Sequence, residues 1–141
     1  MRINNHSKYF FFFCLIITLT FHFCDLKAQN KIINGPLGSG QFGKSITILP
    51  NGNYIVTDPY FDNASIDVGA VYLFNGKTHA IISTLTGSTA NDQIGSEGII
   101  VLKNGNFVIR STRWNNGSIT NAGAATWCNS TTGLNGTDRK S

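Results

Sequence analysis

The sequence predicts an all-β protein built from copies of one small antiparallel unit. Three observations support this prediction: short β-branched apolar runs, Asn-Gly turn signals between them, and a pattern that recurs 53 residues further along the chain. No window of helical length combines apolar residues at helical spacing with capping residues. Only 13% of the residues are charged, which is a poor match to a helical bundle. The 141 residues allow one domain or two small repeats.

The first 28 residues have the pattern of a secretory signal peptide. Arg2 and Lys8 supply the positive start, and residues 9–23 form an uncharged apolar stretch. A helix of that length is too short for the ~30 Å hydrocarbon core, which favours a signal over an uncleaved anchor. We expect cleavage after Ala28, leaving no stable membrane span. N-terminal sequencing of the exported chain tests this, and an intact N-terminus would contradict it.

Removal of this leader leaves few groups for redox, metal or nucleic-acid chemistry. The net charge falls to about +2, because 11 − 3 = 8 basic and 7 − 1 = 6 acidic residues remain. No basic cluster is left to follow a phosphate backbone, so no nucleic-acid partner is expected. Cys128 stands alone, which excludes an intrachain disulfide in the processed chain. His79 is interpreted as a solvated loop residue, and no cofactor is expected.

The first unit, residues 40–93, follows a glycine-rich linker at 29–39. The pair Asn51-Gly52 between the first two apolar runs is a strong hairpin signal, because both residue types tolerate positive φ. A second Asn-Gly, at 75–76, ends the third run. The four predicted strands are 45–49, 54–57, 69–74 and 80–85.

A partial second unit, residues 94–130, repeats the first in one register. After a one-residue insertion beyond residue 66, the offset changes from 53 to 54. Apart from this insertion, the match stays aligned across two turns and a loop, which identifies a true repeat. The matched segments are Ile46–Val56 with Ile99–Ile109, Phe61–Ile66 with Trp114–Ile119, and Asp67–Ala70 with Asn121–Ala124.

The last segment, residues 131–141, reads as a polar tail. Leu134 is its only large apolar residue, so we do not expect the tail to complete the edge of a blade. The prediction is therefore one complete four-stranded antiparallel meander of the propeller-blade type, plus part of a second. Because propellers use typically 4–8 blades, the chain is interpreted as a truncated piece of a longer repeat protein. Its open strand edges are expected to favour self-association.

The two ends of the first unit carry a family resemblance. Gly40–Ser45 and Val68–Phe74 resemble the ends of an FG-GAP repeat, the blade of integrin-α-type propellers. The segment Leu49–Thr57 is similar to repeats of bacterial secreted proteins of the haemagglutinin- or adhesin-like kind. The resemblance implies four-stranded blades, a secreted or cell-surface bacterial location, and non-catalytic binding or adhesion to an extracellular protein or glycan.

The first hairpin loop departs from that family where calcium would bind. Many FG-GAP blades place several aspartates there, since calcium prefers hard oxygen ligands that carry negative charge. This chain offers only neutral amides in the loop and in its copy, so both loops are interpreted as turns and no metal site is assigned. The four residues are Asn51, Asn53, Asn104 and Asn106.

Three acids in the first unit are the candidates for hydrolytic chemistry. Asp58, Asp62 and Asp67 are close enough in sequence to suggest paired carboxylates. Their counterparts in the second unit are not acidic, which favours solvated loop acids and no catalytic residue. The alternative function is a secreted polysaccharide-acting enzyme, with Asp58 or Asp62 carrying the chemistry, or its accessory carbohydrate-binding domain. The counterparts are Ser111, Asn115 and Asn121.

Three aromatic residues are the candidates for stacking on sugars. Tyr60, Phe61 and Trp114 could form such a platform. However, Phe61 and Trp114 occupy the same repeat position, which favours packing between units. The sequence therefore identifies no ligand-binding residues.

Overall fold

The computed structural model describes residues 30–137, and none of these residues is helical. The predicted signal peptide lies outside the described residues, as do the last four residues of the predicted tail. Across the described range, no helix is long and apolar enough to cross a membrane. Eight strands run through this range: β1 Ser45–Ile48, β2 Tyr54–Asp58, β3 Ala70–Phe74, β4 Ile81–Thr86, β5 Ile99–Val101, β6 Phe107–Ser111, β7 Ala124–Cys128 and β8 Gly136–Thr137.

The first repeat forms the predicted antiparallel meander. Strands β1 to β4 are neighbours in chain order, and each pairs antiparallel with the next. Val56 lies opposite both Ile46 of β1 and Tyr72 of β3. Since alternate residues of a strand point to opposite faces, these three side chains share one face of the sheet. The four-stranded antiparallel unit is confirmed.

The second repeat forms a separate three-stranded sheet in the order β5-β6-β7. Val108 lies opposite both Ile100 and Trp127, again in antiparallel pairing. The prediction of an all-β repeat with one complete unit and part of a second is therefore confirmed.

The described part of the tail extends the first sheet. Gly136 and Thr137 form β8, which pairs in parallel with Leu85 and Thr86 of β4. The Oδ1 atom of Asn135 accepts the backbone N–H of Thr84 at 3.1 Å. The tail thus covers part of the β4 edge instead of adding a fourth strand beside β7. The polarity of this segment did not indicate such a role.

The repeat continues through the turn that follows its third strand. Asn75 and Asn129 each accept two backbone N–H groups with Oδ1, at 2.8–3.1 Å. Four residues after these asparagines, His79 and Gly133 both have left-handed backbone, with φ of 58° and 64°. Equivalent side chains therefore shape equivalent turns in both repeats.

Asn51-Gly52 and its copy Asn104-Gly105 each form the predicted hairpin between the first and second strands of a repeat. Gly52 and Gly105 have φ of 86° and 85°, and a Cβ added at either position would meet no atom within 4 Å. A substitution there acts through backbone conformation alone.

We expect Gly52→Val and Gly105→Val each to destabilise the protein by about 1–3 kcal/mol, because a β-branched residue is strained at positive φ. Urea unfolding measures the effect. Gly52→Asn is the control and should cost less, since asparagine tolerates left-handed backbone. Neutral valine variants at both sites would contradict the assignment.

The main core lies between the two sheets. The face of the first sheet that carries Ile55, Val71 and Leu73 packs on the face of the second sheet that carries Phe107 and Ile109. In either repeat, the front face is the one that carries Ile55 and Leu73 or the residues equivalent to them. The back face is the opposite one, which in the second repeat carries Phe107 and Ile109. The other buried members are Leu49, Leu85, Ile94, Trp114 and Cys128.

The back face of the first sheet holds a second apolar cluster. Val56, Tyr72 and Phe74 are buried there, with Phe42 and Phe61 packed against them as partly buried neighbours. The ring centroids of Phe42 and Tyr72 are 5.5 Å apart, and those of Phe61 and Tyr72 are 6.3 Å apart. Among residues 30–137, the side chains that cover the back face of the first repeat come from the same repeat and from the segment before it, where Ile33 also packs on the cluster.

Candidate functional site

Two long loops project from corresponding positions of the two repeats. One joins β2 to β3 across residues 59–69, and the other joins β6 to β7 across residues 112–123. The segment 88–95, between the repeats, lies against both. We call these three segments the long-loop end. Loops held by a rigid scaffold are the usual location of binding residues.

Asp92 is the centre of the hydrogen bonds at the long-loop end. Its carboxylate is fully buried. The Oδ2 atom accepts the backbone N–H groups of Ser88 and Thr89 at 3.0 and 2.8 Å. The Oδ1 atom accepts the backbone N–H and the side-chain Nδ2 of Asn115 at 3.0 and 2.9 Å. Four charge-assisted bonds therefore tie the connecting segment to the second loop.

Sequence reasoning did not single out Asp92. Unlike the predicted candidates, it falls in a short polar segment with no recurring motif around it. The available signal was a lone acid within reach of the Ser88-Thr89 pair, a spacing at which carboxylates cap nearby backbone N–H groups. That signal is common in loops and does not identify a distant partner such as Asn115.

Each long loop is also closed by a side chain of its own. The Oδ1 of Asp62 accepts the backbone N–H of Asp67 at 2.8 Å, and the Oδ1 of Asn115 accepts that of Asn121 at 2.9 Å. Asp67 and Asn121 both have left-handed backbone. Asn115 makes with its amide oxygen the same contact that Asp62 makes with a carboxylate oxygen. The loop therefore needs one hydrogen-bond acceptor at this position, which an amide supplies as well as a carboxylate. The role of Asp62 in the loop is structural.

The tips of these loops expose apolar side chains. Ile66 and Ile119 are exposed at equivalent positions, and Tyr60 is exposed at the start of the first loop. The backbone of Ile66 is held by the N–H of Asn91, which donates to its carbonyl at 3.1 Å. Reciprocal hydrogen bonds of 2.9 Å join Asn116 and Ile119. The structure thus presents isolated apolar side chains on constrained backbone.

The three candidate acids do not form a catalytic pair. Asp58, interpreted as a solvated loop acid, is fully buried at the end of β2, where its Oδ1 accepts the backbone N–H of Gln41 at 2.7 Å. That interpretation of Asp58 is wrong, because the β2 strand extends one residue further than predicted and turns the carboxylate into the fold. Asp62 is exposed and Asp67 is half-buried. Among the described residues, no group of three histidines, cysteines or acids is placed to hold a metal.

Asp58 affects a buried phenol on the same face. Burial first, and the charge of Asp58 second, raise the pKa of the Tyr72 hydroxyl well above its usual value. The Tyr72 hydroxyl and the Asp58 Oδ2 are both buried without a hydrogen-bond partner among the described residues. Because the pKa of Tyr72 is higher in the folded than in the unfolded state, its contribution to stability is fully present below pH ~10. The contribution is lost progressively as the pH rises above that value. Both side chains are buried, which places them away from any substrate at the surface.

The aromatic candidates pack between elements. Trp114 is buried in the core between the sheets, and Phe61 packs edge-on against Tyr72 at 6.3 Å. Only Tyr60 is exposed. These contacts support the interpretation that Phe61 and Trp114, at their shared repeat position, pack inside the fold. The three aromatic residues form no common platform for a sugar.

Two remaining residues that the sequence singled out have partners inside the fold. His79 is half-buried, and its Nδ1 lies 3.1 Å from the hydroxyl of Tyr54. The interpretation of His79 as a solvated residue is wrong, because the left-handed turn directs the ring onto β2. Cys128 is buried in the core between the sheets, with its Sγ 3.9 Å from the carbonyl of Thr126.

The opposite end of the sheets carries a polar link between the repeats. The Nδ2 atoms of Asn51 and Asn53 both donate to the carbonyl of Ser130, at 2.9 and 3.0 Å. The Oδ1 of Asn106 accepts the N–H of Ser130 at 3.0 Å. The asparagines considered for calcium therefore bond to protein backbone. An adjacent cleft of about 370 Å³ is lined by Asn51, Gly52, Asn53, Asn75, Gly76 and Lys77.

We expect Asn53→Asp to destabilise the protein by about 1–3 kcal/mol, because it removes the donor to the Ser130 carbonyl and places a carboxylate oxygen against it. The substitution keeps the Oδ1 acceptor for the N–H of Gly76. Thermal unfolding, at concentrations where the chain is monomeric, provides the measurement. Asn106→Asp is the matched control: it keeps its own acceptor contact and should change the unfolding free energy by less than about 0.5 kcal/mol. Equal effects would show that the link to Ser130 contributes nothing.

The chain matches one protein-family model. This model, described as "Repeat of unknown function (DUF5650)", matches residues 48–96 and 101–139. The two matched segments correspond to the two structural repeats, and together they span more than half of the chain. No curated protein and no solved structure matches it. The repeat is thus established, and the FG-GAP resemblance stays a prediction.

Proposed function

The chain belongs to the DUF5650 repeat family, and from this premise we propose that it is a secreted or cell-surface binding module. In this proposal the long-loop end contacts an extracellular protein, and the repeats serve as a propeller-blade scaffold without catalytic activity. The signal-like leader supports the location. The four-stranded antiparallel meander of the first repeat, and its face-to-face stacking on the three-stranded sheet of the second, support the scaffold.

One observation carries the binding role: exposed isoleucines stand on loops whose backbone is already fixed. Ile66 and Ile119 are exposed, yet their loops are closed by buried or backbone hydrogen bonds. A preorganised loop loses little conformational entropy on binding, so its apolar contacts convert efficiently into affinity. Apolar side chains rimmed by polar residues are typical of protein interfaces.

The same surface favours a protein partner over a glycan. Sugars stack on aromatic rings, and Tyr60 is the only one of the three aromatic candidates that is exposed. The exposed isoleucine side chains at positions 66 and 119 are instead suited to apolar pockets on a protein surface. The alternative function in polysaccharide breakdown is disfavoured, because Asp58 is buried and Asp62 is committed to its own loop.

Site-specific photocrosslinking on cells that export the chain tests the proposal. A photoreactive phenylalanine analogue is placed at Ile66 or Ile119, and at Ile81 as the matched control. Ile81 is also an exposed isoleucine but begins β4, away from the long loops. We expect one discrete adduct with a different protein from positions 66 and 119, and no adduct with a different protein from 81.

Two outcomes would overturn the proposal. Adducts with a different protein that are as abundant from Ile81 as from Ile66 would show that the long-loop end has no special role. Hydrolysis of a polysaccharide by the purified chain, abolished by Asp62→Asn, would instead establish the alternative enzyme.

A further inference from the structure

The two repeats meet through two different and complementary faces. The front face of the first repeat, with Ile55 and Leu73, packs on the back face of the second, with Phe107 and Ile109. By repeat position, Ile55 corresponds to Val108 and Leu73 to Trp127. Val108 and Trp127 lie opposite each other in β6 and β7, on the side away from the core. The second repeat thus turns its front face outward, with Arg110 at the position of the buried Thr57.

Neither outer face is covered by another repeat within residues 30–137. On the front face of the second repeat, Ile100 is 45% exposed and Trp127 is 55% exposed. On the back face of the first repeat, Ile46 and Ile48 are 65% and 76% exposed. Ile99, the counterpart of Ile46, is partly buried and packs on the core between the sheets, whereas Val101, the counterpart of Ile48, is 37% exposed.

The loop aromatics of the back face show the same contrast. Trp114 is buried between the sheets, whereas its counterpart Phe61 is only partly buried. Each exposed face therefore has an equivalent that is buried inside the molecule, so the chain itself shows what covers such a face.

We propose that this protein self-associates head to tail, the front face of the second repeat in one copy seated on the back face of the first repeat in another. The occupant of each outer face is a second copy of the chain. The contact would reproduce the interface between the repeats and is independent of the long-loop end and its proposed partner. Because the two surfaces differ, the contact is heterologous and leads either to a closed ring or to an open chain.

A polar element of the internal interface is available for the same contact. Asn51 and Asn53 donate to the carbonyl of Ser130 across the internal interface. By repeat position, Asn104 and Asn106 correspond to these donors, and Gly76 corresponds to Ser130. Gly76 lines the open cleft at this end of the first sheet. The hairpin of one copy would therefore reach Gly76 of the next.

Complementation between two variants of the full chain, purified as the cell processes it, tests the direction of the contact. The front-face variant carries Ile100→Lys and Trp127→Lys, and the back-face variant carries Ile46→Lys and Ile48→Lys. Light scattering after size exclusion gives the mass. We expect the unmodified chain to exceed the monomer mass, each variant alone to be monomeric, and their equimolar mixture to form a 1:1 dimer.

A third double variant, Ile66→Lys with Ile119→Lys, controls for replacing any two exposed isoleucines and should associate like the unmodified chain. A monomeric unmodified chain would overturn the proposal. So would a back-face variant that dimerises alone, since that result indicates front-to-front pairing. A mixture that stays monomeric would also overturn it.

Fluorescence provides a second readout that does not need the lysine variants to fold. In a Trp114→Phe background, Trp127 is the remaining tryptophan, and its emission should shift to the blue as the concentration rises. Asn106→Asp in the same background should weaken this association about fivefold, the factor expected for one hydrogen bond of about 1 kcal/mol. Emission independent of concentration would contradict burial of the front face.

Discussion

Replacing Gly69 with alanine is expected to destabilise the protein by more than about 4 kcal/mol, among the largest effects of a single substitution. Gly69 has a φ of 75°, which strains any residue with a Cβ. The added Cβ would also lie 2.3 Å from the backbone nitrogen of Ile94. Backbone cannot move aside as a side chain can, so the connecting segment around Ile94 would have to shift away from the first repeat. Urea unfolding, at concentrations where the chain is monomeric, measures the loss.

Gly123→Ala is the matched control. Gly123 occupies the same repeat position with nearly the same φ, 77°, but the nearest atom to an added Cβ is 3.6 Å away. It should cost only the strain of positive φ, about 1–2 kcal/mol. Comparable losses at the two positions would contradict the close approach of Gly69 to Ile94.

Replacing Asp92 with alanine is expected to cost about 3–5 kcal/mol, because it removes the acceptor of four hydrogen bonds at once. The buried backbone N–H of Asn115 loses its acceptor, and its Nδ2 keeps only the bond to the carbonyl of Ala90. The long loops should loosen before the sheets unfold. Thermal unfolding gives the stability, and hydrogen exchange of the Asn115 amide gives the local effect.

Asp62→Ala is the control for Asp92→Ala. Asp62 is exposed and accepts one hydrogen bond, from the backbone of Asp67, so its loss should cost less than about 1 kcal/mol. Unchanged exchange at Asn115 in the Asp92 variant would show that another group holds the loop.

Features set by neighbouring residues could be predicted from the sequence. The hairpin at Gly52 follows from Asn51-Gly52 between two β-branched runs, and its copy at Gly105 follows from the repeat. The entry of Ala70 and Ala124 into the third strands was predicted in the same way. In each case, local backbone preference and alternation of apolar residues contain the necessary information.

The burial of acids and the position of the tail could not be predicted in this way. Asp58 looks like a loop acid in sequence, and only the segment around Gln41, folding back over β2, encloses it. The tail is polar, yet Gly136 and Thr137 reach the open edge of β4. Strand pairing uses backbone groups that every residue carries, so side-chain pattern does not reveal it.

By itself, then, the sequence determined the all-β class, the repeat and the hairpin register, since turn chemistry and alternation act over a few residues. Only the tertiary structure decided which surfaces meet. The bonds of Asp92 to Asn115 and of Asn53 to Ser130 join residues 23 and 77 positions apart. Likewise, the equivalence of Trp127 to the buried Leu73 defines an outer face only once the two sheets are stacked. Such contacts depend on how whole sheets pack, and the packing follows from the total apolar surface buried between them.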